Sequence, residues 1–156
     1  MIGSSQRLVR RGGIGSGGKR DDIGFYVRST WEANVVRYYR FRKIKFRYEP
    51  KEFEFVGLKR GIRFYKPDFY LPEEGVYVEV KGYLDRQSLT KLKRFLKYFP
   101  EEAKRLRIMI NRVWLPRKMS YTKEASALME IGYKVSHLES YGAIAEAFCF
   151  IEHWEK

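Results

Sequence analysis

The stretch from Tyr65 to Tyr83, YKPDFYLPEEGVYVEVKGY, holds two acids and a lysine at a spacing that can do chemistry. Pro67-Asp68 is followed, across the turn-forming Leu71-Pro72-Glu73-Glu74-Gly75, by Glu79-Val80-Lys81 in a run of alternating β-formers. Folding back on itself, this segment brings Asp68 and Glu79 to one spot on adjacent strands. Strand alternation puts Glu79 and Lys81 on one face and turns Val78 and Val80 to the other. Two carboxylates beside an ammonium group suit a divalent cation held against a phosphodiester. Mg²⁺ takes oxygen ligands and keeps several waters, so one or two carboxylates suffice, and Mn²⁺ is expected to substitute. Such an ion neutralises phosphate charge and acidifies a bound water. Lys81 is placed to orient that water or to stabilise charge in the transition state. Singly these signals are common: Glu-x-Lys usually marks a solvated face, and Pro-Asp is a frequent turn. Their combination, with Gly75 in the turn and Gly82 after the lysine, is the specific one.

The rest of the chain agrees with a polyanionic partner. Its 156 residues fit one domain, and 44% are hydrophobic, enough for a core. Lys and Arg total 32 against 19 Asp and Glu, a formal charge of +13. That excess favours nucleic acid, with binding that weakens steeply as salt rises. The single cysteine, Cys149, allows no internal disulfide and, in the apolar AIAEAFCFI, reads as a small buried hydrophobe. No apolar run has the length of a membrane span and no signal peptide is visible, so a reducing cytoplasm is the expected compartment, with no membrane partner. His137 and His153 have no zinc-ligand spacing with Cys149.

The elements that must position the acids follow from periodicity. Residues 1–22, with six glycines and several basic residues, read as a flexible cationic arm ahead of one domain over 23–156. Within the arm, GIGSGGKR is no phosphate loop, because Arg20 stands where Ser or Thr would bind magnesium. Ser29 to Phe41 predicts a helix; Ser29 and Glu32 have capping-box spacing, and Trp31, Val35 and Tyr38 or Tyr39 give the apolar stripe. Strands are expected over Lys43–Tyr48, Glu52–Val56, Gly61–Phe69, Val76–Val80, Arg105–Ile110 and Tyr133–His137. Further helices are expected over Ser88–Tyr98, Tyr121–Ile131 and Tyr141–Trp154. Glu49 and Glu52, after the first expected strand, are rival acids for the site that read instead as exposed loop charge.

Pro67-Asp68 followed by Glu79-Val80-Lys81 resembles the PD-(D/E)XK nuclease superfamily. The resemblance spans roughly Ser29 to Ile110 and implies an α/β restriction-endonuclease-like core, a mixed central β-sheet flanked by helices. PDFYLPEEGVYVEVKGY is more specifically similar to the Holliday-junction-resolving endonuclease I of bacteriophages and to the archaeal-type junction resolvases. In that group an acid on the first helix completes the metal site. The resemblance therefore implies the catalytic set Glu32, Asp68, Glu79 and Lys81. Asp68, Glu79 and Glu32 would be metal ligands, with the backbone carbonyl of Val80. Glu32 has a second reading as half of the capping box with Ser29.

Basic residues crowd around this motif. Arg37, Arg40, Lys45, Arg63, Lys91 and Arg94 are the expected DNA contacts, tracking phosphates and so reading shape more than sequence. Cutting a four-way junction by two symmetric nicks suits a two-fold homodimer, which the resemblance also implies. Trp114-Leu115-Pro116 and the C-terminal AIAEAFCFIEHW serve as interface or as core. The sequence thus points to a Mg²⁺-dependent endonuclease acting on branched DNA in recombination or repair. The rival readings are a sequence-specific nuclease with the same acids (homing, restriction, mismatch-repair or transposase type) and a DNA-binding module without catalysis. The short chain leaves little room for a separate reading domain, and intact Asp68, Glu79 and Lys81 argue against lost catalysis.

Overall fold

The computed structural model describes residues 16–82, 85–111 and 137–156. Two antiparallel strands, β1 (Ser16–Lys19) and β2 (Tyr26–Ser29), form an N-terminal hairpin. Then follow α1 (Thr30–Phe41), β3 (Arg47–Tyr48), β4 (Phe53–Glu54), β5 (Phe64–Tyr65), β6 (Phe69–Leu71) and β7 (Val76–Lys81). The chain continues through α2 (Arg86–Tyr98), the single turn α3 (Pro100–Ala103), β8 (Leu106–Ile110), β9 (His137–Ser140) and α4 (Tyr141–Phe148). The predicted helix over Tyr121–Ile131 and the Trp114-Leu115-Pro116 segment lie outside the described residues.

The molecule is mixed α/β. A five-stranded mixed sheet has the order β3-β6-β7-β8-β9, with β3, β6 and β7 antiparallel and β7, β8 and β9 parallel. Strand β7 is central because VYVEVK packs its three valines against α1 on one face and Tyr77 against the opposite core on the other. Val78 and Val80 join Phe69, Leu71 and Met109 against α1 residues Ala33, Val35, Val36 and Tyr39 and against Tyr141 and Ile144 of α4. Tyr77 belongs to the opposite core, built from Phe53, Phe55, Tyr65, Leu92, Phe95, Leu106 and Ile108. The helix α1 and α4 side and the α2 and β4–β5 side thus clamp the sheet between two apolar layers, each worth tens of buried methylenes at about 0.8 kcal/mol per methylene.

Several expected strands are shorter than their sequence pattern. Lys43 adopts a left-handed conformation (φ 56°), so the chain turns after α1 and only Arg47 and Tyr48 pair, although Ile44 and Phe46 still pack inward. The run Gly61–Phe69 is split at Lys66-Pro67, since proline has no N–H for a ladder. Asp68 consequently does not sit at the hairpin turn but at the open end of the β6–β7 ladder. The turn itself closes at the other end, where Gly75 (φ 67°) donates its N–H to the Leu71 carbonyl at 2.8 Å.

The glycine-rich arm is shorter than expected. Ser16–Lys19 is a strand paired with β2, and Arg20 and Asp22 are fixed by ion pairs, so ordered chain begins before residue 23. Only residues 1–15 of the arm fall outside the described residues. Cys149 is exposed, because α4 ends at Phe148 and buries only Tyr141 and Ile144. The remainder of the expected C-terminal helix is a turn that returns Trp154 and Glu155 to α1. There the Asn34 side chain donates to the Glu155 carbonyl and accepts from the Glu155 N–H.

Candidate active site

The ladder register assembles the site. Tyr48 pairs with Phe69 and Phe69 with Val78; all three side chains serve the core beneath α1. One step further along, Asp68 falls between Glu49 and Glu79. The Glu49 N–H donates to the Asp68 carbonyl at 2.8 Å, which extends the β3–β6 pairing to this rung. Three acids from three neighbouring strands therefore share one rung at the open end of the ladder. Like charges directly opposite on a sheet repel, so this arrangement opposes folding unless cations accompany it.

Cations do accompany it. Arg28, at the end of β2, reaches Asp68 Oδ1 at 2.7 Å and Glu49 Oε1 at 3.0 Å. Lys81 Nζ lies 2.8 Å from Glu79 Oε1, and Lys66 Nζ lies 3.9 Å from Glu49 Oε2. The other oxygens are also engaged. Asp68 Oδ2 accepts the Val80 N–H at 2.7 Å, and Glu79 Oε2 accepts the Tyr65 hydroxyl at 2.9 Å. Asp68 and Glu79 are 2% and 3% exposed.

Asp68 is held towards its protonated form. Burial, then the charges of Glu79 and Glu32, raise its pKa well above the ordinary carboxylate range, although Lys81 and Arg28 work the other way. At Lys81, burial opposes the charge, but Glu79 and Asp68 outweigh it and raise the pKa, so the group is an ammonium. Tyr65, buried and facing Glu79, is held far from ionisation. A cluster in which burial and specific charges displace titration in this way is where functional groups concentrate.

Glu32 is placed in the cap. The Glu32 N–H donates to Ser29 Oγ at 3.1 Å, and Ser29 Oγ donates back to Glu32 Oε1 at 3.0 Å. Glu32 Oε2 accepts from the Tyr48 hydroxyl at 2.6 Å and from the Arg28 N–H at 3.1 Å. Both carboxylate oxygens thus serve α1 and its approach, so the ligand role implied by resemblance is not the geometry observed. Its influence on Asp68 is through its charge. Val80 takes part through its N–H to Asp68.

A cleft of about 260 Å³ opens over this rung. Arg28, Lys66, Lys81 and Lys91 bring four cations to its wall, with Tyr65, Glu79, Glu52 and the half-exposed Phe64. Of the expected DNA contacts, Lys91 lines the cleft. Arg63 lies beside it, 3.6 Å from Glu54 and over the Phe64 ring. Arg94 is turned inward to the Ile62 carbonyl.

The remaining three expected contacts stand elsewhere. Arg37 is 6% exposed and bound to Asp22 and Glu155, which makes it a structural residue. Arg40 donates to the carbonyls of Asp22 and Ile23. Lys45 pairs with Glu73 in the hairpin turn, at the far end of the sheet. Arg28, Glu49 and Lys66 are the site residues that the sequence reading missed. Their signal was the ladder register, which places residue 49 beside residue 68.

Among the described residues, no three His, Cys, Asp or Glu side chains converge as a ready metal cage. Asp68 and Glu79 nonetheless fit an oxygen-seeking dication. They are buried acids on one rung, and their oxygens are the hard donors that such an ion takes. No family model, no curated protein and no solved structure matches the chain. The site must therefore be read from its own residues.

Proposed function

We propose that the protein is a Mg²⁺-dependent endonuclease of the PD-(D/E)XK type that resolves branched DNA, four-way junctions in particular. The observation that carries this reading is the rung itself: Asp68 and Glu79 buried side by side, an ammonium on Glu79, and a cationic cleft above them. A structural ion pair needs no second buried acid, and a purely electrostatic DNA-binding surface needs no buried acid at all.

In this reading Asp68 and Glu79 hold the cation. When bound, that ion supplies charge neutralisation at the phosphate and a more acidic water. Val80 fixes the Asp68 carboxylate through its N–H, and Tyr65 fixes that of Glu79, so both oxygens are preorganised. Lys81, kept cationic by the two acids, donates to the charge that develops on the phosphate and is no general base. Glu32 locks the start of α1 against Tyr48 and adds negative field at Asp68. Lys91 and Lys66 track the backbone on either side of the cut, as phosphate contacts that position without reading sequence. Two copies acting together would deliver paired nicks.

The test is a single set of reactions. Protein and Mg²⁺ are incubated with a four-way junction, a flap, a splayed arm and plain duplex of matched sequence. Symmetric nicks confined to the junction are expected. Cutting of plain duplex at a fixed sequence would move the protein to the sequence-specific nucleases. No product from any substrate, with Mg²⁺ or Mn²⁺, would leave only the DNA-binding reading.

A further inference from the structure

We propose that Arg28 is the gate of the acidic rung: an exchangeable internal counter-cation that yields Asp68 Oδ1 to an incoming dication and turns to the phosphate in the cleft. This rests on the nuclease reading above. The carboxylate oxygens of the site differ in how firmly their partners are held. Asp68 Oδ2 is bound by a backbone N–H, which cannot leave. Glu79 Oε2 is bound by the buried Tyr65, and Glu79 Oε1 by Lys81, whose side chain is 24% exposed. Glu32 is spent on the cap. Asp68 Oδ1 alone among these is covered by a long side chain that is 47% exposed.

Position supports the same assignment. Asp68 is buried and forms no part of the cleft wall, whereas Arg28 lines that wall and contacts Asp68 from it. Arg28 therefore stands between the cleft and the buried acid. Its backbone is pinned, since its N–H donates to Glu32 Oε2 and to the Tyr48 hydroxyl, so the side chain can swing without moving β2. One guanidinium is shared between Asp68 and Glu49, so a dication at Asp68 Oδ1 brings that acid more positive charge than its half of Arg28 does. Asp68 is buried, so Arg28 leaves it only when another cation takes its place. The freed fork has the geometry that grips a phosphate with two parallel N–H donors.

The test is a titration of the DNA-free protein with Mn²⁺, read by calorimetry and by the electron paramagnetic resonance of free ion. Wild type, Arg28→Gln, Arg28→Lys and Asp68→Asn are compared, with circular dichroism as the check on folding. Arg28→Gln is expected to bind Mn²⁺ about tenfold tighter than wild type, a difference of about 1.4 kcal/mol. Its affinity for a junction in Ca²⁺ should fall. Asp68→Asn should lose the ion. Equal or weaker Mn²⁺ binding by folded Arg28→Gln overturns the gate while leaving the nuclease reading intact. If that variant does not fold, Arg28→Lys decides: it lacks the fork that bridges Asp68 and Glu49, so a smaller gain is expected, and no gain overturns the gate. A wild type that takes up no Mn²⁺ and cuts nothing overturns both.

Discussion

Two clusters in this molecule are built from the same parts and behave in opposite ways. One joins Arg37, Asp22, Glu155 and Arg20 beneath the N-terminal hairpin; the other joins Arg28, Glu49, Asp68, Glu79 and Lys81 at the open end of the β6–β7 ladder. In the first, the buried Arg37 fork spans Asp22 at 2.7 Å and Glu155 at 3.1 Å, and Arg20 adds a contact to Glu155 at 2.8 Å. The Arg37 bond pulls the Asp22 pKa down, and the Arg20 bond does the same for Glu155. In the second, Asp68 is shifted the other way by burial and by its acidic neighbours. Opposite charges in matched number make a fastening. Acids buried together on one rung, each sharing its cation with the cleft, make a site that can exchange partners.

The sharpest way to break this contrast is to neutralise a buried acid of the rung. Asp68→Asn and Glu79→Gln should each slow junction cleavage by about a thousandfold, the scale of losing a preorganised electrostatic contact. Asp68→Asn should not lower the melting temperature, because it removes an acid that burial and its acidic neighbours disfavour as a charge. A cleavage rate close to wild type, or a markedly less stable Asp68→Asn protein, would place Asp68 among the fastenings.

Next in size is Arg37→Ala, which leaves Asp22 and Glu155 without their shared partner. A loss of about 3 kcal/mol in urea unfolding is expected, at the low end for a broken buried pair because both acids are partly exposed. Junction affinity per folded molecule should not change. A clear fall in that affinity would restore Arg37 to the DNA surface.

The pH dependence separates the two clusters by sign. Asp22 and Glu155 have lowered folded pKa values, so their contribution is complete above the ordinary carboxylate range and is lost as pH falls below it through the lowered folded values. Asp68 has a raised folded pKa, so the folded state keeps a proton that the unfolded chain releases. Stability from Asp68 is therefore greatest at low pH and declines as pH rises from 3.8, its ordinary value, towards the folded one. Thermal unfolding across pH should show the second slope vanish in Asp68→Asn and the first weaken in Arg37→Ala.

The smallest effect distinguishes two surface lysines. Lys91→Ala, at the cleft, should weaken junction binding and reduce the salt slope by about one. Lys45→Ala, at the exposed Glu73 pair, should change binding little and stability by less than about 0.5 kcal/mol. Equal effects on DNA would mean that the polyanion lies along the whole sheet.

Much of the scaffold was legible in the chain. Ser29 announced the start of α1, and the valines of β7 announced its buried face and turned Glu79 and Lys81 to the other. Asp68 and Glu79 were visible as a pair because one hairpin joins them. The rest of the site depends on contacts that no local pattern encodes. Glu49 reads as loop charge until β3 is laid beside β6. Arg28 reads as an exposed strand residue until the hairpin is packed against the sheet. Arg37 looks like any surface arginine, since its acids come from 15 residues before it and 118 residues after it. Glycines between Gly12 and Gly18 suggested a loose arm, yet Gly17 lies so close to β2 that a Cβ there would meet the Arg28 carbonyl at 2.9 Å. Here the absence of a side chain permits strand pairing, which composition alone reads as disorder.

Glu49 stands in a left-handed backbone conformation (φ 46°) while it holds Arg28. Glycine is the residue that tolerates such a backbone without steric conflict. Glu49→Gly would therefore relax the main chain and, in the same stroke, unmoor the guanidinium above Asp68. Selection for ruggedness and selection for chemistry pull this one position in opposite directions, and a laboratory search for hardier variants that settles on it should do so at the expense of the site.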